Sequence, residues 1–349
     1  MSTSKWTGAV SSNWDDANNW SPAGIPGVNS DVVIASGSPV ASGPIGTVDS
    51  ITDSSDLSFE SAGANTVATF LDNTGFLGVD ANGGEGGTIL NIGETLTNSG
   101  TLRVGNTTLS ASDEVTAAAL DNSGTITLAG KKANRALLDV TAGVAGFGTA
   151  GVLSGYVELQ GHSAIEFKSG QISTIATGAT LFLFGNNAFI EDSKAHGSNS
   201  ALHRLSNILG TFYLTNGASV STTGALTNSD RVNLVGTGST LSTAGALTNN
   251  GDVSIQDDTE QPERSMERGS SASTSLIFGS IRASRPGRPS TRAARTRSSS
   301  TRLSPSAARS AVSGPATRST RRTFSSPERR SISPRIREAP ARSRCTTGV

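Results

Sequence analysis

Leu247-Thr248-Asn249-Asn250-Gly251-Asp252-Val253-Ser254-Ile255 is the last copy of a phrase that recurs along this 349-residue chain. The phrase reads Leu71-x-Asn73-x-Gly75-x-Leu77-x-Val79, then Leu96-x-Asn98-x-Gly100-x-Leu102-x-Val104, then Leu120-x-Asn122-x-Gly124-x-Ile126-x-Leu128. It returns at Leu226-x-Asn228-x-Asp230-x-Val232-x-Leu234, with a looser copy at Leu205-x-Asn207. Successive starts lie 25, 24, 21 and 21 residues apart, with a gap between Leu120 and Leu205. Residues 217–228 and 238–249 are identical at eight of twelve positions, too many for chance.

Apolar residues at alternate positions on both sides of an Asn-x-Gly pivot describe two short strands joined by a turn. Asn and Gly tolerate positive φ, so the pivot is expected to bend without strain. A period of twenty-odd residues is that of a solenoid coil, in which each strand pairs with its counterpart one turn away. The predicted fold is therefore all-β: a right-handed parallel β-helix (β-solenoid) with an N-terminal cap and a disordered C-terminal tail. Leu96, Leu102 and Val104 are expected to face inward. Asn73, Asn98, Asn122, Asn228 and Asn249 would form a structural turn ladder, amide on amide, as in cross-β stacks. About nine coils over residues 44–256 predict a rod on the order of 45 Å long.

The zero net charge of the whole chain averages two unlike parts. Residues 1–258 hold 9 Lys and Arg against 23 Asp and Glu, a balance of −14; residues 259–349 hold 19 Arg, no Lys and 5 Glu, a balance of +14. The second part also carries 8 of the 12 Pro and the single cysteine, Cys345, and has no Asn, Asp, His, Trp or Tyr. Three segments follow: a Trp-containing cap over residues 1–27, coils over 28–258, and a tail over 259–349. No run reaches the eighteen or more apolar residues of a membrane helix, so no transmembrane segment is expected.

All three tryptophans fall in the cap, at Trp6, Trp14 and Trp20. They are read as a lid over the open end of the first coil. The alternative reading is a carbohydrate-binding platform of stacked rings. The motif W-x-G-x-x-S-x-x-W-x-x-x-x-N-W, followed by Pro26-Gly27 and Asp31-Val-Val-Ile34, resembles the opening of large bacterial surface proteins. These are β-strand-repeat, autotransporter-passenger or haemagglutinin-like adhesins, and the resemblance covers residues 6–258. It implies export and display at the cell surface, and contact with surface glycans or a host or biofilm matrix. The chain departs from that pattern: it carries no recognisable export signal and no terminal barrel, so another secretion route is expected.

The tail lacks periodicity and apolar content, and disorder is expected there. Arg without Lys and the complete loss of Asn and Asp suggest out-of-frame translation of GC-rich DNA past residue 258. The alternatives are a native linker or a nucleic-acid-binding arm, but specific nucleic-acid recognition is not expected without aromatic interleaving. If the coils stop near Ile255, the open strand edge invites edge-to-edge self-association.

Chemistry is sparsely signalled. Asp113-Glu114, Glu158 with Glu166, Glu191-Asp192, Lys168 and Lys194 look scattered. His162, His196 and His203 show no metal-ligand spacing. Gly83-Gly-Glu-Gly-Gly87 lacks the Asp of calcium-binding nonapeptide repeats and is read as a loop. No phosphate loop or nucleophile elbow appears. The expectation is a non-enzymatic adhesin-like or structural rod with no cofactor, catalytic residue or metal site. The alternative is a polysaccharide lyase or hydrolase on a β-helix.

Overall fold

The computed structural model describes residues 1–83 and 85–256, together with the backbone of four short strands between Arg264 and Ile281. The rest of the expected tail, its disorder and the frameshift reading lie outside the described residues. Within them the chain is a β-solenoid built from stacked parallel sheets, with no α-helix. No helix among them is long and apolar enough to cross a membrane.

The second half of each repeat phrase builds one sheet. Its strands run from Val40–Ala41 through Asp56–Phe59, Phe76–Val79, Thr101–Val104 and Thr125–Gly130 to Asp252–Gln256. Every step between them is parallel and in register, so equivalent residues pile on one another. Nine such steps, at about 4.8 Å each, give a length of about 43 Å. One inward column runs from Leu57 and Leu77 through Leu102 and Ile126 to Phe212 and Val253, all buried. Arg103, beside Leu102, faces out. Strict alternation thus buries one apolar side chain at every second position and leaves the polar one to water.

The first half of the phrase changes sheet along the rod. Leu71–Asn73 and the strands Thr88–Asn98 and Asp113–Asn122 belong to a twelve-stranded sheet that ends at Ala188–Asp192. Leu226–Asn228 and Ala246–Asn249 lie in a six-stranded sheet that starts at Val152–Leu153. Outward hydroxyls ladder along the last coils, with Ser219 to Thr240 at 2.6 Å and Ser221 to Ser242 at 2.7 Å.

The stretch after Leu128, which carries no copy of the phrase, stays within the coil: Ala136–Val144 pairs in parallel with Asp113–Asn122. One expectation is corrected here. The looser copy at Leu205-x-Asn207 is out of register, because Ile208, not Asn207, stacks on Asn228. A slip of one residue flips the face, so Asn207 is exposed and Ile208 buried. The gap in the repeat is likewise filled by coils that carry Leu153 and Ile175 at this position.

At the N-terminus, Ser2–Trp6 already pairs in parallel with Ser30–Ile34, so stacking begins earlier than residue 28. Trp20–Ser21 closes that edge by antiparallel pairing. At the other end, Arg264–Met266 pairs antiparallel with Asp252–Gln256, and Ser270–Ser273 with Ala246–Asn249. The edge near Ile255 is therefore covered rather than open, which removes the structural basis for edge-to-edge association at that strand.

Candidate functional site

The repeated Asn is an internal fastening. Asn73 Nδ2 donates to Asn98 Oδ1 at 2.7 Å, and Asn98 Nδ2 donates to Asn122 Oδ1 at 2.7 Å. Asn228 Nδ2 donates to Asn249 Oδ1 at 2.8 Å. The second amide hydrogen goes to the backbone of the next coil, at Thr101, Thr125 and Asp252 respectively. All five side chains are buried, so the ladder presents nothing to a ligand.

The Gly of the phrase has a different reason from the expected one. Gly75, Gly100 and Gly124 are not in the positive-φ region. A Cβ on Gly100 would lie 2.1 Å from the Gly75 carbonyl oxygen, and one on Gly124 2.2 Å from that of Gly100. Close approach of successive turns, not turn handedness, demands glycine. Beneath Asn73 the column ends in Asp53, fully buried, which accepts from the Ser55 N–H on Oδ1 and has no partner on Oδ2. Burial raises its carboxyl to about 6, and the nearby Asp56 charge adds to this.

Trp6, Trp14 and Trp20 pack edge to face, with ring centroids 4.9 and 4.7 Å apart, and all three are buried in the core. Trp20 Nε1 donates to the Trp14 carbonyl at 2.8 Å. A sugar platform needs an open, flat ring face; these rings are enclosed and mutually steep, which corrects the carbohydrate alternative at this position.

The aromatic side chains that do reach the surface lie elsewhere. Tyr156 is 38% exposed, and Phe182, Phe184 and Tyr213 are half-buried on the outward side of the sheet built by the second half of the phrase. The Phe182 and Tyr213 rings stand edge to face at 5.4 Å. With Thr180 and Thr211, three of these residues line a shallow groove of about 420 Å³. Tyr156 Oη donates to Glu158 at 2.9 Å; burial first, then this bond, pushes the phenol up to about 12. The two tyrosines of the chain both stand here.

On the twelve-stranded sheet, residues that look scattered in sequence come together. Asp139, Glu166 and Glu191 occupy one outward column in consecutive coils. Glu191, 1% exposed, receives the Arg135 guanidinium on Oε1 and the Gly197 N–H on Oε2 at 2.8 Å. The segment after Asp192 folds back through an Asp192–Ala195 bridge and sets His196 Nδ1 3.2 Å from Glu166 Oε2 and 3.4 Å from Glu191 Oε1. Burial raises the Glu166 carboxyl, and His196 partly offsets this; burial also raises Asp139, which Lys168 and Arg135 oppose. Burial lowers His162, and Arg135 adds to that. Ligand atoms of Glu166, Glu191 and His196 lie within 4.8 Å of one another, so the expectation that these residues are scattered is corrected. The available signal was the spacing: Asp139, Glu166 and Glu191 sit one coil apart.

The other singled-out groups stay outside this cluster. Asp113 is buried and accepts from the Gly87 and Thr88 N–H groups, so the glycine cluster is tied to the next coil. Burial and the facing Asp80 carboxyl raise Asp113 well above the ordinary carboxylate range. Lys194 and His203 are exposed. The chain matches no family model, no curated protein and no solved structure.

Proposed function

We propose that the chain is an exported, surface-associated β-solenoid of adhesin-like or structural role, with no catalytic activity. The observation that carries this reading is the outward aromatic group Tyr156, Phe182 and Tyr213, with the Thr180 and Thr211 hydroxyls beside it, along one groove of the sheet. Partly exposed aromatic faces beside hydroxyls suit glycan contact: ring faces cover sugar C–H groups while hydroxyls and the Glu158 carboxylate hydrogen-bond to sugar oxygens. A long in-register stack holds such a row rigid and presents it sideways.

The test is adsorption of the full chain to a glycan panel, compared with Phe182→Ala and Tyr213→Ala. Retention of one glycan class by the native chain, lost in both variants while circular dichroism is unchanged, supports the reading. Retention that both variants keep, or none on any glycan, counts against it. Surface proteolysis of intact producing cells checks display; protection of the chain there would contradict export.

A polysaccharide-acting enzyme is the second reading, favoured by the Glu166 and Glu191 oxygens and the His196 nitrogen lying within 4.8 Å of one another. That approaches the carboxyl separation of about 5 Å used by retaining glycosidases. It ranks second because both Glu191 oxygens are already engaged. Shortening of an acidic polysaccharide by the native chain, abolished by Glu166→Gln, would reverse the order.

A further inference from the structure

We infer that Glu166, Glu191 and His196 form a binding site for one divalent transition metal of the zinc class. Parallel stacking puts Asp139, Glu166 and Glu191 about 4.8 Å apart in an outward column, where like charges repel. Asp139, Glu166 and Glu191 set three negative charges against the two positive charges of Arg135 and Lys168, an excess of one negative charge. His196 is 59% exposed, so its side chain had solvent open to it, yet its Nδ1 sits between the two carboxylates. A tetrahedral metal with bonds of about 2.0–2.1 Å has ligand-to-ligand edges of about 3.3–3.4 Å. The two edges from His196 Nδ1, 3.2 and 3.4 Å, already have that length. All three ligand atoms lie within 4.8 Å of one another, so the remaining Glu–Glu edge closes by small side-chain rotation.

The donor set decides the metal class. One imidazole nitrogen with two carboxylate oxygens suits zinc and its neighbours, whereas calcium takes oxygen alone and in larger number. The surroundings resemble those of a metal site as well. Glu191 is oriented by Arg135 and by the Gly197 N–H, the outer hydrogen bonds that fix a ligating carboxylate. Arg135 would share or release Oε1, which has acceptor capacity for both. His196 is the exposed member of the set, so a fourth ligand would be supplied by water from its side. Binding would fasten the 193–199 segment to the sheet at a point where only hydrogen bonds now hold it.

Calorimetric titration of the full chain with zinc chloride at neutral pH tests the inference, with metal content measured after dialysis. The expected result is one zinc per chain and a raised thermal midpoint. Affinity should fall at least tenfold in His196→Ala and in Glu166→Gln, and stay unchanged in His203→Ala and Cys345→Ser. His196→Asn serves if the alanine variant fails to fold. Absence of binding, binding that survives both His196 and Glu166 substitution, or loss in the Cys345→Ser control would each overturn it. A thermal shift given equally by calcium would also exclude the assigned donor chemistry.

Discussion

The substitution Asp53→Asn isolates what the ladder needs at its first step. Each Asn above donates an amide hydrogen to the coil that follows, so position 53 should supply a donor towards Asn73. An ionised carboxylate has none. Asp53 is fully buried, and its carboxyl is raised from the ordinary 3.8 to about 6. The folded state therefore holds the proton more tightly than the unfolded chain does. The stability this gives is fully present below about pH 4 and is lost as pH rises through about 6. At about 1.4 kcal/mol per decade, the ionised fold at pH 8 is weaker by about 3 kcal/mol than the protonated one. Asparagine carries no charge and always donates, which restores that loss and adds about 1 kcal/mol for the bond to Asn73. The gain is expected to be about 2–4 kcal/mol at about pH 8 and to fall below about 1 kcal/mol at about pH 4. Urea midpoints at the two pH values measure it; with a slope near 3 kcal/mol per molar, the shift at high pH is about 1 M. Other buried acids, the Asp80–Asp113 pair among them, act in both proteins and cancel in the difference. Equal gains at both pH values, or none at pH 8, would refute the argument.

Asn98→Ala removes one accepted and two donated hydrogen bonds in the buried ladder and should cost about 3–5 kcal/mol in chemical denaturation. Asn207→Ala, on an exposed side chain, should change stability by less than about 0.5 kcal/mol. Gly100→Ala forces a Cβ against the Gly75 carbonyl and should lower the thermal midpoint by several degrees; Gly224→Ala, with open space around it, should leave it unchanged or raised. Trp14→Ala empties a fully buried site in the N-terminal Trp cluster and should cost about 3–5 kcal/mol, with hydrogen exchange rising first in the strands Ser2–Trp6 and Ser30–Ile34.

The solenoid was legible because its physics is local and repeated. Leu102 and Val104 alternate with outward residues in the sequence itself, and twenty-odd residues return the chain to the same wall. What sequence spacing could not supply was register in coils that lack the phrase. Leu205-x-Asn207 looked like a loose copy of the phrase, but one residue of slip places Ile208 in the amide column's position instead. The reason for Gly100 was equally hidden, since its constraint comes from a carbonyl 25 residues away and not from its own turn. The charged cluster escaped notice for a related cause. Glu166 and Glu191 meet through stacking, but His196 arrives by a fold-back whose course no periodicity encodes. The gathering of Trp6, Trp14 and Trp20 was readable from their spacing, and their enclosed, edge-to-face packing needed coordinates.

The amide column stops after Asn122 and resumes at Asn228, with Leu153, Ile175 and Ile208 between. A pull along the rod axis would therefore meet two stretches where buried amides must part together with the backbone pairs, and a greasy middle where only the backbone and packing resist. Under load from the ends, rupture should localise to that central span, leaving both laddered ends wound: a weak link written into the wall itself.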